Sequence, residues 1–143
     1  MPESQDISTT QIGLDHAHQL IARGRRAAGE RGLRAVFAVL DPGANLVAFA
    51  RMDRAWLASN DLAVAKARAS VKFQAPSEAL NAPLQLDRPV PHFDHLGEGM
   101  ILMGGGLPIL DDAGQLIGAI GVSGGTPEQD AELARLALAA AAG

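Results

Sequence analysis

The glycine-rich stretch Met100–Thr126 constrains the fold more than any other part of the chain. It holds two short apolar runs joined by a tight turn, with glycine clusters at Gly104–Gly106 and at Gly124–Gly125. Glycine is needed where the backbone takes a positive φ or where another group approaches it closely. The two clusters fall at neighbouring ends of the predicted hairpin. They therefore either line one concave surface or only form bulges and turns.

Length and composition exclude several classes of protein. The 143 residues predict one domain at residues 10–143, after a loose polar N-terminus at residues 1–9. Aromatic residues make up only 3% of the chain and cysteine is absent, so we expect an aliphatic core without disulfides or thiolate metal sites. The net charge of −4 argues against nucleic-acid binding. With no long apolar run and no signal-peptide pattern, we expect a cytoplasmic protein that does not contact a membrane.

The first amphipathic segment follows the polar N-terminus. Thr9 or Thr10 is expected to cap a helix that runs to about Gly29, with Gly32 as the stop signal. Small and apolar residues recur at helical spacing and predict the buried stripe, which consists of Ala17, Leu20, Ile21, Gly24 and Ala28. The arginines outside this stripe are expected to face solvent; they are Arg23, Arg25, Arg26 and Arg31.

A β-hairpin and a second helix are predicted next. Strands at residues 34–41 and 46–52 flank the turn D-P-G-A-N, in which Gly43 and Asn45 tolerate a positive φ. The first strand is apolar on both faces, which predicts a central strand covered by helices. The helix is expected to run from Ser59 or Asn60 to Phe73, and its predicted buried stripe is Leu62, Ala65, Ala69 and Phe73. Lys66 lies on the flank of this stripe, where its stem covers the core and its ammonium stays in water, unless it has a functional role.

The third helix follows the glycine-rich hairpin. The sequence T-P-E-Q places Thr126 at the N-cap, Pro127 in the first turn and Gln129 where it closes a capping box. Hairpin connections imply antiparallel pairing. The order of elements therefore predicts an α+β fold, with an antiparallel sheet of four to five strands flanked by helices.

Three groups of polar residues are candidates for chemistry. One is a loop with four residues that form either a metal site or a solvated surface, namely His92, Asp94, His95 and Glu98. Ser123 matches the nucleophile-elbow pattern G-x-S-x-G, but no histidine follows it, so a turn or capping role is favoured. Gly124–Gly125 precedes a helix N-terminus, whose N–H groups could hold an anion unless the capping box already uses them.

Two histidines lie in the first predicted helix. At about 100° per residue, His16 borders the buried stripe and His18 points to the opposite face. A histidine beside an apolar stripe is either a hydrogen-bonded residue at the edge of the core or the donor of an axial nitrogen to a haem iron. The sequence alone favours the first interpretation.

Four sequence blocks come in the order and spacing of one known family. They are A-V-L-D-P-G-A-N-L-V-A-F-A-R-M-D-R-A-W at residues 38–56, D-L-A-V-A-K-A at 61–67, G-G-G-L-P-I at 104–109 and G-Q-L-I-G-A-I-G-V-S-G-G-T-P-E-Q-D at 114–130. On these blocks the chain resembles the GlcG/HbpS-like family, which also supplies the C-terminal domain of PduO-type proteins. The resemblance covers about residues 14–138.

The resemblance implies a profilin-like α+β fold and assembly into homo-oligomers, from dimers to octamers. It implies haem binding in some members and an accessory place in catabolic operons, with no settled activity, in others. Arg54 and the segment between Leu80 and Glu98 depart from the family pattern, where ligand specificity could differ. The family's motif positions are expected to meet in one pocket, either within a subunit or at a subunit interface. On this sequence they are Arg51, Met52, Asp53, Ala55, Lys66, Gly104, Gly105, Gly106, Pro108, Gly121, Val122, Ser123, Gly124, Gly125, Gln129 and Asp130.

Three functions follow from these observations. The first is a binding module that holds haem or a related tetrapyrrole, with His16 or His18 as the axial ligand and no other cofactor. The second is a catabolic enzyme of the lyase or isomerase type that acts on an oxygenated acid or aldehyde. Lys66 or Asp53 would then be its acid/base, and the glycine loops would hold an oxyanion. The third is an accessory structural oligomer.

Overall fold

The computed structural model describes residues 10–80 and 100–139. The predicted loose segment 1–9 and the loop that carries His92, Asp94, His95 and Glu98 lie outside this part of the chain. None of the helices described has the length and hydropathy that a membrane span requires. The elements in chain order are α1 (Leu14–Glu30), β1 (Val36–Leu40), β2 (Leu46–Arg51), α2 (Ala58–Phe73), a 3₁₀ turn (Ser77–Leu80), β3 (Gly106–Leu110), β4 (Leu116–Ser123) and α3 (Pro127–Leu138).

The four strands form one antiparallel sheet in the order β2-β1-β4-β3. Helix α2 packs against β1, β3 and β4, whereas α1 and α3 pack against each other and against the sheet. The predicted α+β fold with an antiparallel sheet is confirmed. The sheet has four strands, the lower of the two numbers that the sequence predicted.

Strand β1 is central and fully buried, as its two apolar faces predicted. Phe37 and Val39 belong to the main core with α1 and α3, while Val36 and Ala38 pack with Ala63 of α2. The alternation of side chains along a strand thus sends successive residues of β1 into two different helix layers. The sheet therefore lies between the helices. Loops and helix termini meet at the ends of its strands.

The two hairpins use the same turn. In each, the carboxylate of the first turn residue, Asp41 or Asp111, accepts two backbone N–H bonds across the turn. The fourth turn residue has a positive φ, which is 66° at Ala44 and 83° at Gly114. The positive φ of the first turn thus falls at Ala44, between Gly43 and Asn45, the two residues that the sequence singled out as tolerating it.

Helix α1 begins later than predicted. Its N-cap is Gly13, which provides no side-chain hydrogen bond, and not Thr9 or Thr10. The N–H of Ile12 instead donates to the carbonyl of Ile117, which holds the segment before the helix against the sheet. The predicted buried stripe of α1 is confirmed. Of the arginines expected in solvent, Arg23 is half-buried and its Nε donates to the carbonyl of Ala137 at 2.9 Å.

The buried face of α2 agrees only in part with the predicted one. Ala65 and Ala69 are buried as predicted, but Leu62 is half-buried and Phe73 is 45% exposed. The helix also buries Ala63, Lys66 and Ala67. The reason lies in the glycines of the facing strands. A Cβ on Gly121 would overlap the carbonyl oxygen of Ala63. The helix backbone is thus too close to the sheet for large side chains, and the face with the smallest residues is the one that fits.

Candidate functional site

A buried ion pair joins the two helix layers at one end of the sheet. The ammonium of Lys66, on α2, donates to the Asp130 carboxylate on α3 at 2.9 Å and to the carbonyl of Val122 on β4 at 3.0 Å. Both residues are 2% exposed. The other carboxylate oxygen of Asp130 accepts the N–H of Gly125 at 2.7 Å. These four groups link α2, β4 and the first turn of α3.

Gly105 makes room for this pair. Its φ is 130°, a conformation that side chains rarely adopt. A Cβ there would overlap the carbonyl oxygen of Val122 and press on the Lys66 stem. The first glycine cluster therefore serves close packing beside the ion pair. The predicted position of Lys66, with its ammonium in water, was wrong, because the glycine opens a path for the side chain to Asp130.

Backbone N–H groups at the N-terminus of α3 donate to side chains of the same turn. Thr126 and Gln129 form the predicted capping box, in which each side chain accepts the other residue's backbone N–H. The N–H of Gly125 is bonded to Asp130. The three N–H groups at Gly125, Thr126 and Gln129 therefore meet side chains of the same turn. This geometry favours the capping alternative over an anion at Gly124–Gly125.

An open cavity of about 540 Å³ lies between the C-terminal end of α1, the following loop and the end of β2. Three arginines line it, Arg25 from α1, Arg34 before β1 and Arg51 at the end of β2. Asp53 is the acidic residue in the lining. We call this space the arginine cavity. Its remaining lining consists of Gly29, Gly32, Leu33, Ala50 and Met52.

The backbone around the arginine cavity is fixed by hydrogen bonds between strand ends. The N–H of Met52 donates to the carbonyl of Ala35 at 3.0 Å, and the N–H of Ala35 donates to the Met52 Sδ at 3.4 Å. Arg51 lies opposite Val36 in the register of β1 and β2. Arg34 and Arg51 therefore stand at neighbouring ends of two paired strands.

Within a single chain, the predicted site residues do not line one common cavity. Arg51, Met52 and Asp53 line the arginine cavity, while Gly104 lines a separate cavity of about 240 Å³ with Glu78 and Arg135. Lys66, the other predicted acid/base, lies in the buried ion pair and not beside Asp53. The remaining predicted ligand-binding positions lie in packing contacts or at element ends, namely Gly105, Gly106, Pro108, Ser123, Gly124, Gly125 and Gln129.

Both candidate haem ligands of α1 are exposed. His18 lies one helical turn after Leu14, which is 52% exposed, and one turn before the exposed Ala22. Arg25 follows seven residues after His18, on the same flank of the helix, and reaches the arginine cavity. His16 instead lies near Gln19 and Arg23, on a polar flank that leads to α3. The structure thus places the two imidazoles in different surroundings.

Two groups of candidate functional residues were missed, or only partly predicted, from the sequence. Arg25 was expected only to face solvent, and Arg34 was not singled out. Two features of the sequence pointed to them: the seven-residue spacing of Arg25 from His18, and the hairpin, which puts Arg34 and Arg51 at the same end of two paired strands. Lys66 and Asp130 were both named, but their pairing was not predicted, because they are 64 residues apart in the chain.

The fold and these features define a class, a small α+β domain whose four-stranded sheet lies between helix layers tied by a buried Lys–Asp pair. The chain belongs to the family described as haem degrading protein HbpS-like, whose model matches residues 12–139. It is similar to the crystal structure of Klebsiella pneumoniae protein ORFY, with a TM-score of 0.84 and 34% identity over 96% of this chain and 94% of that one.

Two further similarities concern PduO proteins. The crystal structure of a PduOC:haem complex has a TM-score of 0.82 to this chain, at 28% identity, and covers 90% of this chain and 94% of that one. The corrinoid adenosyltransferase PduO of Salmonella typhimurium strain LT2 is 29% identical over 97% of this chain. The chain spans 41% of the length of that enzyme. The likeness to PduO is therefore a likeness to one part of it.

Proposed function

We propose that this protein binds haem or a closely related tetrapyrrole, as a cytoplasmic homo-oligomer, with His18 as the axial ligand. The family and the similarity to a haem-bound PduOC structure support the choice of ligand. The observation that carries the choice of residue is the exposed stripe on α1. There His18 stands between Leu14 and Ala22, with Arg25 further along the same flank.

The residues on this stripe fit the chemistry of a haem. An exposed imidazole offers a nitrogen to iron, and an exposed leucine one turn away offers an apolar contact for the porphyrin face. His16 lacks such a neighbour on its flank, since Leu20, one turn on, is buried and Gln19 and Arg23 are polar. We therefore prefer His18 to His16, and the experiment below treats His16 as the competing residue.

A second copy of the chain is expected to complete the site. Neither histidine lines the arginine cavity or the cavity beside Gly104, so a haem ligated from α1 would be covered by this chain on one side only. With 3% aromatic residues, a single chain has few large side chains with which to enclose a macrocycle. Exposed apolar side chains also occur at Phe49, Trp56 and Leu57. Such residues favour association with another copy.

The geometry does not favour the enzyme alternative. The Lys66 ammonium already donates two hydrogen bonds inside the protein and is closed off from solvent. A general acid or base must come within hydrogen-bond reach of a substrate atom. Lys66 and Asp53 also lie in different places, so they do not form a common acid/base pair. The roles of both residues in catalysis stay predictions that activity assays would have to test.

A haemin titration followed by Soret absorbance tests the proposal. The wild type is expected to saturate at one haem per subunit or per pair of subunits. His18→Ala should lose the shifted Soret band and bind at least about tenfold more weakly, a loss of about 1.4 kcal/mol. His16→Ala is the matched control, because it removes an exposed imidazole from the same helix, and it should bind like the wild type. Haemin binding that does not saturate, and that neither substitution changes, would overturn the proposal.

A further inference from the structure

We infer that the arginine cavity is a carboxylate-binding site and that it takes the propionate groups of the tetrapyrrole ligated by His18. The inference rests on the function proposed above. It adds a second, anionic subsite to the axial one, and it assigns Arg25, Arg34 and Arg51 to ligand binding.

The charge of the cavity supports an anionic ligand. Three arginines and one acidic residue, Asp53, line it, in a chain whose net charge is −4. Within residues 10–80 and 100–139, none of these three arginines forms an ion pair. An arginine presents a planar fork of N–H donors that matches a carboxylate, so a cluster of them on one open space favours a dianionic ligand.

The position of the cavity matches the dimensions of the ligand. Arg25 follows His18 by seven residues on one flank of α1, which corresponds to about 10 Å along the helix axis. This separation is comparable to the distance from the iron of a haem to its propionate carboxylates. A macrocycle ligated by His18, with its face along Leu14 and Ala22, can therefore direct its acidic edge to the end of the helix where the cavity opens.

Hydrogen bonds hold the backbone on one side of the cavity. Arg51 ends β2, Arg34 precedes β1, and the hydrogen bonds between Met52 and Ala35 join the two strand ends. Met52 is half-buried and adds an apolar surface to the lining. The backbone positions of Arg34 and Arg51 are therefore fixed relative to each other, while the side chains of all three arginines are exposed and accessible to a ligand.

The test compares haemin with haemin dimethyl ester, in which both propionates are neutral. Each ligand is titrated into the wild type, Arg25→Gln, Arg51→Gln and the control Arg26→Gln. Arg26 is also exposed on α1 but does not line the cavity. Arg25→Gln and Arg51→Gln should each weaken haemin binding about tenfold, the size expected for a lost charge-assisted hydrogen bond. They should leave binding of the ester unchanged, and Arg26→Gln should leave both ligands unchanged.

The result separates this inference from the proposed function. If haemin binding depends on His18 but not on Arg25 or Arg51, or if the ester is equally sensitive to these substitutions, the propionate site is overturned and haem binding stands. If the wild type does not bind haemin saturably, both are overturned.

A third arm identifies the source of the carboxylate. Succinate, titrated alone by calorimetry, detects a site for free dicarboxylates. If Arg51→Gln abolishes the binding of succinate but leaves the binding of haemin unchanged, the cavity binds free dicarboxylates and the assignment to propionates is overturned. Succinate that competes with haemin, but not with the ester, would support a shared carboxylate site.

Discussion

Removal of the Lys66 ammonium should destabilise the protein more than any other loss of a single charge on α2. In Lys66→Met the stem is kept and the charge is lost, so the Asp130 carboxylate stays buried with only the N–H of Gly125 as partner. Because both residues are 2% exposed, water cannot replace the lost partner. Loss of one partner of a buried ion pair costs about 3–5 kcal/mol.

A double substitution separates the pair from the packing around it. Lys66→Met with Asp130→Asn leaves two neutral groups, so it should recover at least about half of the loss caused by Lys66→Met alone. The two side chains are in direct contact, so their effects should not add. This recovery is the specific sign of an uncompensated carboxylate, since a packing defect would persist in the double variant.

Urea unfolding at one fixed protein concentration gives the free energies, because self-association makes stability depend on concentration. Lys72→Met is the matched control, as Lys72 is an exposed lysine on the same helix, and it should change stability by less than about 0.5 kcal/mol. A cost of Lys66→Met below about 1 kcal/mol, or strict additivity in the double variant, would refute the assignment of a buried charge pair.

Four further substitutions have expected outcomes, each checked by urea unfolding. Gly121→Ala should prevent folding or cost more than about 3 kcal/mol, because its Cβ would overlap the Ala63 carbonyl oxygen; a neutral result would contradict the close packing of α2. Ala44→Gly should stabilise by about 0.5–1 kcal/mol by relieving a positive φ, and Gly114→Ala, in the matching turn, should destabilise by a similar amount; equal signs would contradict the turn geometry. Thr126→Ala should cost about 1 kcal/mol through the lost cap of α3, and no change would mean that the cap is replaceable.

The sequence was sufficient for elements whose signals are local. Proline and the T-x-x-Q spacing identified the start of α3, and a run that is apolar on both faces identified β1 as a buried central strand. The start of α1 was misplaced because Ile12 pairs with Ile117, a contact between distant parts of the chain. The buried face of α2 was predicted only in part, at Ala65 and Ala69, for a similar reason, since glycines of two other strands determine which side of the helix can approach the sheet.

The candidate site was predictable only in part. The two histidines of α1 and the R-M-D segment are local features, and the sequence identified both as candidates. It placed His16 at the edge of the core, whereas the structure leaves His16 exposed. The arginine cavity is formed by three separate segments that meet only through the hairpin register and the packing of α1, so its composition could not be derived from motif spacing. The Lys66–Asp130 pair likewise depends on Gly105, whose missing side chain leaves the path between two helix layers open.

The most direct test of the central claim is a crystal structure of the haemin-loaded protein in which anomalous scattering locates the iron. The proposal predicts iron bonded to an imidazole nitrogen of His18, with the propionates directed toward Arg25 and Arg51. Iron bonded to His16, or haemin bound away from α1 altogether, would contradict it.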